Sequence, residues 1–419
     1  MRFEPVHEGL KHIHAPDLSG VGKSGRPSQP DYAAYRDAIA GRPLPLALLD
    51  RDALDANIAE VRRRAGMLPV RVASKSVRSV PVLRRILSTN GFRGLMCMTV
   101  AEAVYLASQG FEDLLVAYPT VDPAALRLAA RASQRHQLTI MVDCEDHVAA
   151  AEAAARAEGQ RLKVCLDLDI ATAIGPLRVG ALRSPLRGPE AVVVLARRIR
   201  ASPHLELEGV MGYEAQIAGV SDATPYHRVR NLAVRALKRL SVPAVARQRA
   251  AAVAALRAEG IELRFVNGGG TGSLTTTNRD PSVTEVTVGS AFYAPVLFDH
   301  QRAARFTPAA MFAIEVTRRP RPDVYTCLGG GYVASGPADP DKLPQPYLPA
   351  GAELLPLEGA GEVQTPIRYR GELRLGDPVF LRHAKAGELC ERFTHLVVVS
   401  EGRVVDEVTT YRGDGRCFL

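Results

Sequence analysis

Arg71-Val72-Ala73-Ser74-Lys75-Ser76-Val77-Arg78 is the stretch whose reading decides the fold. A short apolar strand, carried by Val70 and Val72, ends here on a lysine. Helical spacing follows from Val80 to Leu87, with Pro81 in the first turn. Strand, turn and helix in that order make the βα step of an α/β domain. In a parallel barrel, residues at the C-terminal ends of the strands face the site of chemistry. A lysine desolvated there can act as an amine nucleophile toward an aldehyde. The ordinary alternative is an exposed strand-end lysine, and Lys75 gains weight only from a glycine-rich loop at 267–272.

Working outward, strand patterns recur at 46–50, 70–74, 94–98, 113–117, 138–142, 163–168, 205–212, 263–267 and 283–288. Between most of them lie segments of helical spacing, among them Asp52 to Arg64, Pro123 to Ser133 and Glu145 to Ala157. The longest runs from His227 to Glu259. This alternation predicts an α/β fold, either a closed (β/α)8 barrel of the TIM type or an open doubly wound sheet. Nine strand candidates for eight places leave one to lie elsewhere. After residue 300 the helical periodicity stops and Gly and Pro rise. Short alternating segments follow at Ala313 to Arg318, Asp323 to Cys327, Pro378 to Leu381, His395 to Ser400 and Val404 to Thr410. They predict a mostly antiparallel β domain over 301–419, with the barrel at 45–300 and a polar, Gly- and Pro-rich N-terminal arm at 1–44.

A chain of 419 residues with 47% hydrophobic content is too long for one ordinary core, which agrees with two domains. No apolar run approaches the ~20 residues of a membrane helix, and Met1 to Gly20 has no apolar secretory core. Six scattered cysteines without a CxxC suit reduced thiols, so a cytoplasmic location is expected. The net charge of +8 comes mostly from arginines interleaved with acids on helix faces, as in Arg62-Arg63-Arg64. No aromatics interleave such runs, which argues against a nucleic-acid partner and leaves a modest attraction for anionic small molecules.

Val266-Asn267-Gly268-Gly269-Gly270-Thr271-Gly272-Ser273 follows a strand directly. Its glycines and two hydroxyls let backbone N–H groups converge on an anion without interference from side chains. A bare glycine-rich loop is otherwise a turn. Position decides between the two readings, because the next strand ends at Gly289-Ser290. If 70–74 is the first barrel strand, the two loops follow strands seven and eight, where barrels commonly bind phosphate. In a closed barrel those strands neighbour the first. A phosphorylated aldehyde fits both halves, and pyridoxal 5′-phosphate is the expected cofactor. Lys75 would hold its carbonyl, and the cup Asn267, Gly268, Gly269, Gly270, Thr271, Gly272 and Ser273, with Gly289 and Ser290, its phosphate.

With these motifs in place, the chain resembles the fold-type III pyridoxal-phosphate enzymes that share the alanine racemase barrel. It is most similar to the D-threonine aldolase and D-serine dehydratase branch. The resemblance rests on Arg71, Lys75 and Arg78, on the glycine loop, and on Thr284-Glu285-Val286-Thr287-Val288-Gly289-Ser290-Ala291-Phe292-Tyr293, and it covers roughly 45–419. It implies that 46–50 joins the β domain. It also implies that Arg71, Arg178 in Gly175-Pro176-Leu177-Arg178-Val179-Gly180, and Tyr213 approach the cofactor; for Tyr213 a plain core role is the alternative. Asp299 and Tyr293 are expected at the entrance. A homodimer is implied as well.

The branch holds a divalent metal with a His and, two residues on, a Cys or Asp. Here His383 is followed by Lys385, and a family Glu-His-Gly reads Glu362-Val363-Gln364. A metal would therefore need His383 with Glu388 or Cys390. Without one, Lys385 and Glu388 would contact substrate, and His383 or Lys75 would be the base. The function implied is a lyase acting on a β-hydroxy amino acid of D configuration through an imine. Retro-aldol cleavage and dehydration with deamination both stay open. A racemase or epimerase using Tyr332 or Tyr347 as second base, and a non-catalytic cofactor carrier, are the alternatives.

Overall fold

The computed structural model of the protein describes residues 31–419 apart from 182, 226 and 337–339. The part of the expected arm at 1–30 lies outside the described residues. The remainder of the arm includes a helix, Tyr32–Ala38, capped by the Asp31 carboxylate on the Ala33 N–H. Tyr35 packs edge-on against Phe380 with ring centroids 5.9 Å apart, and its hydroxyl donates to Asp50.

The first strand, β1 (Leu46–Asp50), lies outside the barrel. Asp50 ends it and caps the next helix, Arg51–Ala65, by accepting the Ala53 N–H at 2.8 Å. Leu54, Ile58 and Val61 of that helix are fully buried at i, i+4, i+7 spacing. Each such side chain contributes about 1.5–3 kcal/mol on removal from water.

Eight strands rich in Val, Leu and Met close into a parallel barrel. They are β2 (Val70–Ala73), β3 (Phe92–Cys97), β4 (Leu114–Val116), β5 (Leu138–Val142) and β6 (Leu162–Asp167). After a hairpin of β7 (Thr172–Ile174) and β8 (Leu177–Val179) come β9 (Leu205–Met211), β10 (Phe265–Gly268) and β11 (Glu285–Val288). β11 pairs back onto β2 and completes the circle. The closed form is therefore the one adopted, and the open doubly wound sheet is excluded. The hairpin was not expected from the sequence, because three-residue strands carry too little pattern.

The remaining strands are β12 (Ala310–Arg321), β13 (Val324–Leu328), β14 (Gln345–Leu348), β15 (Glu353–Leu354), β16 (Gln364–Arg368), β17 (Pro378–Arg382), β18 (His395–Ser400) and β19 (Arg403–Thr409). They form a mostly antiparallel sheet that takes in β1, antiparallel to β12 and parallel to β18. This sheet reaches the barrel through a short 3-10 segment, Ala386–Glu391. A Cβ on Gly387 would come within 2.5 Å of the Lys75 carbonyl oxygen, so only glycine lets the two backbones approach this closely.

Inside the barrel the residues are layered. Met96, Leu115, Met141, Cys165, Met211 and Phe265 form an apolar layer. Toward the strands' N-terminal ends lies a charged one. Arg71, fully buried, donates to Glu285 at 2.7 and 3.0 Å and to the Asp113 carboxylate at 3.0 Å. Arg264 joins Asp113 to Glu208, which also pairs with Lys163 at 2.7 Å. Burial disfavours the Asp113 carboxylate, but Arg71 and Arg264 outweigh it and hold its pKa down at about 2. Removing one partner of such a network leaves a buried charge uncompensated. Arg71→Met is accordingly expected to cost about 3–5 kcal/mol of unfolding free energy, read from denaturant titration. An unchanged midpoint would contradict this account of the barrel interior.

Candidate active site

The strand ends build the site. β2 stops at Ala73, and a 3-10 turn, Ser74–Ser76, turns Lys75 out of the ladder. The Ser74 hydroxyl fixes the turn by donating to the Met96 carbonyl at 2.9 Å. Arg78 takes a left-handed backbone (φ 51) and donates to the Lys75 carbonyl at 2.8 Å and to Glu391 at 2.6 Å, tying the lysine turn to the β domain.

Lys75 opens into a cavity of about 840 Å³ at the C-terminal ends of the strands, inside the usual range for small-molecule sites. Its ammonium donates to the Tyr118 hydroxyl at 2.7 Å. Burial opposes ionisation of Tyr118, yet Lys75 and Arg183 beside it hold the phenol below its usual pKa.

The glycine loop forms the facing wall. Asn267, Gly268, Gly269, Gly270 and Thr271 line the cavity, as do Gly289, Ser290 and Ser76. A Cβ on Gly289 would sit 2.6 Å from the Ser76 hydroxyl, and one on Gly270 would sit 2.8 Å from the Ala218 Cβ. These glycines keep the wall clear of side chains where backbone and the Ser76, Ser290 and Thr271 hydroxyls line the cavity, a donor-rich surface of the kind that binds a phosphate. Together with a reachable amine, the residues present fit pyridoxal 5′-phosphate. The expected cup is shorter than the motif, however. Gly272 is pressed against Gln301 and Ala218, and the Ser273 hydroxyl turns away to Glu214 at 3.0 Å. Asn267 lines the cavity, but its amide nitrogen is held by Glu285 and Thr287, both at 2.8 Å.

Several other expected residues lie elsewhere. Arg71 sits in the charged layer of the barrel and does not line the cavity. Arg178 belongs to the β7–β8 hairpin, which carries it outward to Asp169 at 3.0 Å. In its place Arg183 enters, 5.9 Å over the Tyr118 ring and 5.8 Å over the Tyr213 ring. Tyr213 does line the cavity, and burial pushes its phenol up to about 12.

His383 is fully buried at the end of β17, its ring 6.3 Å from that of Tyr293, and it does not line the cavity. Tyr293 is buried too, its hydroxyl on the Val77 carbonyl at 3.0 Å, and Asp299 turns to Arg382 at 2.6 Å. Leu297 and Phe298 line the cavity instead. Tyr332 and Tyr347 are not among the lining residues.

Lys385 does reach the cavity, donating to the Ser335 carbonyl at 3.0 Å and hydroxyl at 2.8 Å. Burial lowers its pKa; the Glu388 carboxylate opposes this, while the nearby cations Lys342 and Lys75 reinforce it. Glu388 accepts the Ser335 N–H at 3.1 Å and stays out of the cavity wall. Of the expected ligand set, His383 and Cys390 are fully buried, Glu388 turns to Ser335, and none of the three lines the cavity. Cys390 points its sulfur at the Val77 carbonyl, 3.3 Å away, and burial pushes the thiol up to about 12.

The sequence reading missed Tyr118, Asp143, Cys144, His147, Asp167 and Arg183, all of which line the cavity. Tyr118, Asp143 and Asp167 lie at or just past the C-terminal ends of β4, β5 and β6, so the barrel rule that selected Lys75 would have found them. Burial, and then the neighbouring Asp143, push the Asp167 carboxyl up to about 7. The Lys75–Tyr118 pair generates a prediction. In cofactor-free protein, the phenolate absorbance missing from Tyr118→Phe should appear below the ordinary tyrosine pKa of about 10. It should move to higher pH in Lys75→Met, where the charge that favours the phenolate is gone. A midpoint at or above the ordinary value would contradict the pairing.

The alanine racemase N-terminal domain family matches residues 49–295. The chain is 31% identical over 232 residues to 3-hydroxy-D-aspartate aldolase of Paracoccus denitrificans (strain Pd 1222), 55% of this chain and 54% of that protein. It is 24% identical over 263 residues to D-threonine aldolase of Arthrobacter sp, 62% of this chain and 64% of the other. The alignments thus span a little over half the length of these curated relatives. Among solved structures, D-threonine aldolase from Filomicrobium marinum superimposes with a TM-score of 0.74 at 18% identity, over 90% of this chain and 96% of that one. D-threo-3-hydroxyaspartate dehydratase from Delftia sp. HT23 does so with a TM-score of 0.66 at 20% identity, over 88% and 98%. The likeness to these two extends the shared fold through the β domain. With more than half of its length matched, the chain belongs to the alanine racemase N-terminal domain family.

Proposed function

We propose that the protein is a pyridoxal-phosphate-dependent lyase acting on a β-hydroxy amino acid of D configuration. The observation that carries this reading is that Lys75 and the glycine cradle of Gly268–Thr271 and Gly289–Ser290 line one cavity. Bound there, pyridoxal phosphate would supply an electron sink for the bonds at the substrate's α-carbon. The names of the relatives, aldolases and a dehydratase of β-hydroxy D-amino acids, support the substrate class.

The protein's own residues divide the remaining work. Arg183 and Lys385 give the cavity two cations besides Lys75, suited to hold the carboxylates of an acidic substrate. Tyr118, hydrogen-bonded to Lys75, can hold or return a proton at its phenolic oxygen, as can the lysine amine. The lyase reading is preferred to a racemase because the relatives are named as aldolases and a dehydratase. All six cysteines are free thiols, which supports a reducing, cytoplasmic setting. A homodimer is part of the proposal, resting on the resemblance, and sedimentation at micromolar concentration tests it.

A product screen tests the function. The protein, supplied with pyridoxal phosphate, is offered D-threonine and the stereoisomers of 3-hydroxyaspartate. Glycine plus aldehyde would mark cleavage, and ammonia plus keto acid would mark dehydration. Either outcome, abolished in Lys75→Ala, is expected. Absence of both with every D substrate, or turnover that survives Lys75→Ala, would overturn the reading.

A further inference from the structure

On the cavity wall formed by the ends of β5 and β6, three side chains of different donor type converge. Asp143 directly follows β5, Cys144 is the N-cap of the helix Glu145–Ala157, and His147 lies in that helix's first turn. One ligand atom from each lies within 4.8 Å of the other two. Around a tetrahedral ion, bonds of about 2.0–2.3 Å to oxygen, nitrogen and sulfur hold such atoms about 3.3–3.8 Å apart, so the three donors need only a small inward adjustment of their rotamers to share one ion.

The local hydrogen bonding leaves these atoms available. Cys144 makes no side-chain capping bond, although it holds the N-cap position. The Nδ1 of His147 lies 2.9 Å from an Asp143 carboxylate oxygen, yet the atom is buried without a hydrogen-bond partner. Two donor atoms at this separation can be bridged by one ion as well as by a proton. Asp167, only 8% exposed, adds a fourth acceptor on the same wall, close enough for its charge to interact with that of Asp143.

We propose that Asp143, Cys144 and His147 form a site for a zinc-class divalent ion. Mixed oxygen, sulfur and nitrogen donors select such an ion over magnesium or calcium, which take oxygen ligands. Three protein ligands leave the fourth tetrahedral position facing the cavity, the pattern of an open metal site. A hydroxyl or carboxylate oxygen of a bound ligand, or the Asp167 carboxylate, can fill it. The site stands at the end of β5 and shares no residue with the His383, Glu388 and Cys390 set of the β domain.

Cobalt(II) titration of metal-free, cofactor-free protein tests the proposal without reference to turnover. One equivalent should bind with tetrahedral visible bands and a sulfur-to-metal charge-transfer band in the near ultraviolet. Cys144→Ser should lose the charge-transfer band. His147→Ala should weaken binding by about 100-fold or more, since loss of an outer-shell partner alone typically costs 10–100-fold. His383→Ala should leave binding unchanged. A second measurement uses the unaltered protein: zinc should protect Cys144 from alkylation, mapped by peptide mass, while the exposed Cys417 reacts equally with or without metal. Failure to bind one equivalent, binding indifferent to Cys144→Ser and His147→Ala, or alkylation of Cys144 unaffected by zinc would overturn the site. Cofactor absorbance, recorded on the same samples, reports separately on the lyase reading.

Discussion

The pairing of β11 with β2 is the constraint on which the site depends. Val286 lies opposite Val70, Thr287 opposite Arg71, and Val288 opposite Val72. Arg71 and Glu285, 214 positions apart, meet inside this seam as a buried ion pair. A one-residue slip would turn the Arg71 guanidinium out toward the helices and strand Glu285 alone in the barrel. The pair therefore fixes the register of the closing strand. Register in turn brings Gly289 against Ala73 and Ser76, which sets the cradle beside Lys75. Loop closure over such a span is entropically costly and offsets part of what the barrel gains from burial. Hydrophobic cover from the surrounding helices supplies the rest.

The parts of this arrangement that were legible in the sequence are those that local chemistry dictates. Lys75 sits in a strand-turn-helix step, and the Gly268–Gly270 run is where backbones must come close, so both announce themselves. Arg178 and Arg183 show the opposite case. They lie five positions apart in one irregular connection, and only the short β7–β8 hairpin sends the first outward and lets the second in. His383 fails for a different reason. His383, Lys385 and Glu388 read as a loop that contacts substrate or metal, but β17 lies between β12 and β14 and all five of its residues are buried. Arg382 pairs there with Asp299 and the Ala294 carbonyl, and His383, the next residue, is fully buried. Which side chains a distant sheet covers is a long-range property that residue type does not carry.

The cavity that results has two chemically distinct walls. One, built by the ends of β2, β10 and β11, offers glycine backbone, hydroxyls and the Lys75 amine, and suits an anion joined to a carbonyl. The other, built by the ends of β5 and β6, offers carboxylates, a thiol and an imidazole, and suits a cation. Arg183 and Tyr118 stand between the two, and Lys385 enters from the β domain.

The central claim is that Lys75, and no other amine, meets the cofactor carbonyl above the glycine cradle. Borohydride reduction of the protein incubated with pyridoxal phosphate, followed by peptide mass mapping, tests it most directly. A single pyridoxyl group on the peptide containing Lys75 is the result predicted. Labelling confined to Lys385 or to surface lysines, with Lys75 unmodified, would contradict the account.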